Sequence, residues 1–134
     1  MQYVEMINKI QELSAITDQE EAALVIRAVL GTLGEHIYRT EERLLASQLP
    51  KELRNVFYEY QQRERGRGDL ANYSLEEFYN RVSARANISF QEAQRLSAIV
   101  FHVLKQAVSP GEIENVKKEL PSDFHKLFDE QDLP

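Results

Sequence analysis

The chain states one pattern twice. Residues 49–57 read Leu-Pro-Lys-Glu-Leu-Arg-Asn-Val-Phe, and residues 120–128 read Leu-Pro-Ser-Asp-Phe-His-Lys-Leu-Phe. At the same offset Glu21 and Ala22 match Glu92 and Ala93, Val29 matches Val100, and Leu33 matches Leu104. After a single-residue slip, Asn8, Lys9 and Ile10 match Asn80, Arg81 and Val82. A duplicated unit of this length restricts the chain to folds of two equivalent halves, each burying a face against its twin. The constraint falls on architecture and says little about chemistry.

Apolar periodicity identifies the repeated unit as helical. Val4, Met6, Ile7, Ile10 and Leu13 form a stripe that predicts a helix over residues 3–14. Asp18 with Glu21 reads as a capping box opening a second helix, in which Ala22, Val25, Ile26, Val29, Leu30, Leu33 and Ile37 recur at helical spacing. A shorter helix over 41–47 buries Leu44 and Leu45, with Thr40 as a weak start signal. Leu49-Pro50 then breaks the chain, and 51–60 reads as a fourth helix carrying Leu53, Val56 and Phe57. The second half repeats the order, with Ser74/Glu77 and Ser89/Glu92 as capping boxes and Ser109-Pro110-Gly111-Glu112 as another start. A last helix begins at Pro121 and carries Phe124, Leu127 and Phe128. The segment 90–108 is apolar nearly all round, which places it at the centre or leaves one face for a homodimer.

The expectation is therefore one all-α domain over 1–134. It is a pseudo-symmetric bundle of two tandem repeats, each of about four helices, sharing one core. Repeat one covers 3–60 and repeat two 73–128. A connector, 61–72, has two glycines and no apolar period, and a polar tail follows over 129–134.

A net charge of −6 opposes general nucleic-acid binding, which needs a basic surface, and docking on anionic lipid. The absence of cysteine excludes disulfides, thiolate metal sites and cysteine nucleophiles. Glu5 and polar neighbours stand where a signal peptide would need a basic end and an apolar run. The densest apolar stretch, 96–104, is interrupted by Ser97 and His102 and is too short to span a bilayer. A cytoplasmic location is expected.

The two-copy arrangement of an Ala-Val-Leu-rich helix, an acidic turn and a Leu-Pro corner resembles the bacterial family called domain of unknown function 2267. Gln48-Leu49-Pro50, Glu119-Leu120-Pro121 and the run from Val108 to Ile113 carry the likeness, which extends over nearly the whole chain. Tyr38-Arg39-Thr40 departs from it, where a small or glycine-bearing turn is typical. The resemblance implies a soluble helical protein and supplies no catalytic residues.

Candidate chemistry is sparse. His36, His102 and His125 are not equivalent in the repeat, since Ala107 answers His36 and Gly31 answers His102, and no pair stands at zinc-helix spacing. Glu20, Glu21, Glu41, Glu42, Glu112 and Glu114 fall near helix starts, where the macrodipole favours negative charge, and no Glu-x-x-His occurs. Leu49, Pro50, Leu120 and Pro121 read as structural corners. The connector carries Arg63, Arg65 and Arg67 against Glu64 and Asp69, with Tyr58, Tyr60 and Tyr73 beside it. Arginine near aromatics can contact a partner protein or a phosphate.

These features lead to a non-enzymatic interaction module, binding a partner protein or itself through Arg63, Arg65, Arg67, Tyr58 and Tyr60. No cofactor, metal, membrane or nucleic acid is called for. The alternative is a small-ligand or sensor domain with a pocket between the repeats.

Overall fold

The computed structural model describes residues 1–60 and 73–129. Among them are seven α-helices, three 3-10 turns and no strand. Helix α1 (Tyr3–Leu13) is followed by α2 (Gln19–Gly34) and α3 (Arg39–Ser47), and then by 3-10 turns at Lys51–Leu53 and Val56–Tyr58. The second half has α4 (Leu75–Ala86), α5 (Phe90–Ala107) and α6 (Pro110–Glu119). It closes with a 3-10 turn at Ser122–Phe124 that leads into α7 (His125–Asp129).

Most starts follow the capping chemistry of the sequence. Ser89 and Glu92 form a full reciprocal box, with the Glu92 N–H donating to Ser89 Oγ at 3.1 Å and the Ser89 N–H to Glu92 Oε1 at 3.1 Å. Ser74 and Ser109 accept from the Glu77 and Glu112 N–H groups. Asp18 caps α2 through the N–H of Glu20 rather than Glu21. Helix α4 ends on Asn87 with φ 56°, the left-handed conformation that asparagine tolerates better than most residues.

Leu45 is buried as expected but Leu44 is exposed, and three further expectations need correction. Helix α3 starts at Arg39, before Thr40, because its capping partner comes from a distant segment: the Tyr38 N–H donates to Glu119 Oε1 at 2.7 Å. Segment 51–60 is two 3-10 turns, not an α-helix. Leu53 and Arg54 bond back to Pro50 and Lys51, and Tyr58 and Glu59 to Asn55 and Val56. The tight winding sets the backbone of Phe57 directly on Gly34, where a Cβ would stand 2.3 Å from the Phe57 carbonyl oxygen. The segment after Pro121 likewise begins as a 3-10 turn, and only His125–Asp129 is α-helical.

Helices α1 and α4 each pack on both α2 and α5, and α3 meets α6. One contiguous apolar cluster runs through both halves. Helix α5 is at its centre, touching α1, α2, α4 and α7, and Leu96, Ile99, Val100, Phe101, Val103 and Leu104 are all buried within the chain. Those apolar side chains are therefore covered without a second copy. Leu49 and Leu120 plug the core at the two corners, and Pro50 and Pro121 precede the 3-10 turns that follow. No described helix is long and apolar enough to cross a membrane.

Candidate functional site

A carboxylate at the C-terminal end of a buried helix is doubly unfavourable, since it lacks water and faces the negative end of the dipole. Glu35 occupies such a place at the end of α2, only 2 % exposed. Helix α4 supplies the compensation. Arg85 Nη1 and Nη2 donate to the two Glu35 oxygens at 2.8 and 3.2 Å, and Arg81 lies 3.5 Å from Oε2. The Tyr73 hydroxyl donates to Glu35 Oε1 at 2.5 Å. Thr32 completes the set, accepting from Arg85 at 2.8 Å while donating to the Ala28 carbonyl at 2.6 Å.

Aromatic faces close the cluster. The Arg85 guanidinium lies 4.0 Å from the ring centre of Tyr60, and Arg81 is 4.0 Å from that of Tyr73. His36 is fully buried, edge-on to Tyr73 at 4.3 Å and 4.7 Å from Phe124. Tyr60 and Tyr73, the last and first described residues on either side of 61–72, are thus fastened to one ion-pair network.

Neither Glu35 nor Tyr73 is poised to exchange a proton near neutrality. Burial pushes Glu35 up, but Arg85, Tyr73 and Arg81 more than reverse it, and the carboxyl ends below its ordinary value. Burial and the Glu35 carboxylate push the Tyr73 hydroxyl up. Ionised acid, protonated phenol and two guanidiniums make a clamp.

A second polar feature lies between α3 and α6. Glu112, 6 % exposed, and Glu41 each keep one buried carboxylate oxygen that meets no hydrogen-bond partner among the described residues. The helix-start reading of these acids covers the Ser109 cap but not their side chains, which turn towards each other. Beside them the Ser109 N–H donates to Gln48 Oε1 at 2.7 Å, and the Tyr38 N–H to Glu119 Oε1 at 2.7 Å. No described group of three or more His, Cys, Asp or Glu side chains is arranged to hold a metal.

Of the residues singled out in the sequence, Tyr58 is half-buried beneath Arg39, whose guanidinium is 5.7 Å from the ring centre, and Tyr60 rests on Arg85. Arg63, Arg65 and Arg67 lie outside the described residues. His102 is near Gln106 at 3.3 Å, and His125 is within hydrogen-bond distance of the Lys117 carbonyl. Neither described groove draws on both halves: one runs between residues 1–4 and 50–52, and the other between α3 and 54–58. Sequence reasoning missed Thr32, Glu35, Arg81 and Arg85. The available signal was a break in the repeat, where Val103 and Gln106 stand opposite Thr32 and Glu35.

An all-α protein with a buried ion-pair clamp is the class these observations define. The chain matches the family described as "Uncharacterized conserved protein (DUF2267)" over residues 3–127 and belongs to it. No curated protein matches it closely enough to lend it a function.

Proposed function

We propose that this protein is a non-enzymatic interaction module of the bacterial cytoplasm, and that the segment between Tyr60 and Tyr73 is its principal contact. The clamp carries this reading. A buried carboxylate with two guanidiniums is seldom retained for stability alone, because apolar packing serves as well or better. Here it fixes the two tyrosines from which an arginine-bearing segment leaves and returns. Fixed ends lower the ordering entropy of any contact that segment makes.

The halves are two copies related by a local two-fold axis near the Glu41–Glu112 contact. The paired bonds Tyr38–Glu119 and Ser109–Gln48 support this, as does the recurrence of helix order. The clamp is one place where the copies diverge, with Val103 and Gln106 opposite Thr32 and Glu35.

Affinity capture from native lysate, with and without nuclease, tests the module. A stoichiometric protein that survives nuclease and is lost with Arg63, Arg65 and Arg67 all changed to Ala is expected. Retention of every captured protein by the triple variant removes the connector from the contact.

A further inference from the structure

The two copies differ sharply at one surface. In the second half Lys117 bridges α6 to the end of α7, 2.9 Å from Asp129 and 3.6 Å from Glu114. At the corresponding positions of the first half stand Ala46, Tyr58 and Arg43, so no such bridge forms. A groove of about 260 Å³ is found there, lined by Arg43, Ser47, Arg54, Asn55 and Tyr58 among others.

Arg39 lies over Tyr58 at the rim. None of Arg39, Arg43 and Arg54 is ion-paired among the described residues, although the chain carries a net charge of −6. Arg39 also sits in the first turn of α3, the positive end of the helix dipole, where a cation is disfavoured. Uncompensated guanidiniums gathered at a groove mark a site for an anion that is not part of the chain.

Ligand class follows from shape and chemistry. Drug-sized ligands occupy pockets of roughly 300–1,000 Å³, so this groove takes a charged group rather than a whole metabolite. Guanidinium forks bond oxyanions in pairs, and Asn55 and Tyr58 offer neutral hydrogen-bonding groups beside them, whereas the Ser47 hydroxyl already donates to the Leu44 carbonyl at 2.6 Å. We infer that the groove bounded by Arg43, Arg54 and Tyr58, with Arg39 at its rim, binds a phosphate monoester. A free sugar phosphate and a phosphorylated side chain share this chemistry. The inference does not depend on the connector, since Arg63, Arg65 and Arg67 take no part in it.

The test is an NMR titration of the isotope-labelled full chain at constant ionic strength. The probes are inorganic phosphate, ribose 5-phosphate, a phosphoserine hexapeptide and its unphosphorylated twin. Saturable shifts of the Ser47, Asn55 and Tyr58 amides are expected with the phosphorylated probes. The affinity should fall at least about tenfold in R43Q/R54Q and should fall in R54Q alone. Both arginines are exposed, so the variants should melt with the wild type, and K117A should bind as the wild type does. Tighter binding of the phosphopeptide than of ribose 5-phosphate assigns the group to a partner's side chain, and the reverse order assigns it to a free metabolite. Absence of saturable shifts at about 10 mM probe, or equal shifts in R43Q/R54Q, overturns the site.

Discussion

Glu41 and Glu112 face each other where α3 meets α6, and each buries a carboxylate oxygen that finds no donor among the described residues. Two carboxyls in this position are satisfied by a single shared proton. Burial, and then the Glu112 carboxyl, pushes Glu41 up to about 7.

The sign of the pH effect follows. An acid whose folded value lies above its unfolded value binds more protons when folded, so stability declines as pH rises from the ordinary carboxyl range towards 7 and then levels off. Glu119, raised by burial and by Glu41, acts in the same direction. E41Q keeps the shape and supplies a donor. It should be more stable than wild type by about 1 kcal/mol at alkaline pH, a figure reduced by solvent screening, with the difference vanishing near pH 4. Urea melts across this range measure it, and a difference that is flat with pH contradicts the shared proton.

Glu35 shows the opposite dependence. Its folded value is lowered, so its contribution is present above the ordinary carboxyl range and is lost as acid titrates the folded group. R85A leaves the buried carboxylate with Arg81 and Tyr73 alone and should cost about 3 kcal/mol at neutral pH. E35Q/R85M, with no buried charge left unpaired, should recover most of that loss in chemical denaturation.

Glycine substitutions separate close approach from mere flexibility. A Cβ on Gly34 meets the Phe57 backbone at 2.3 Å, and main chain cannot swing aside, so G34A should cost about 2–3 kcal/mol. G31A meets the Tyr60 ring at 2.6 Å and the Val56 carbonyl oxygen at a looser 3.3 Å, and should cost less while displacing that ring from Arg85. Gly111 has nothing within 4 Å and lies in the first turn of α6, so G111A should be neutral or stabilising by about 0.5 kcal/mol. Thermal melts of the three variants rank them.

The helices were legible because capping boxes and apolar periods are local: Ser89 with Glu92, and the stripe from Ala93 to Leu104, need no tertiary knowledge. The start of α3 was not, because Tyr38 takes its partner from Glu119 in the other half. The 3-10 winding of 51–60 was hidden for the same reason, since Leu53, Val56 and Phe57 fit either helix type and the decision lies in a glycine on α2. Of the clamp, the sequence singled out Tyr60, Tyr73 and His36. Glu35, Arg81 and Arg85 come together through folding, and their spacing along the chain carries no motif.

The connector's role rests most directly on a binding isotherm. The captured partner would be titrated into wild-type protein and into R63A/R65A/R67A at physiological salt. At least about a tenfold loss of affinity, with an unchanged melting temperature, is the predicted result. Equal affinity for both proteins would contradict it and move the contact elsewhere on the molecule.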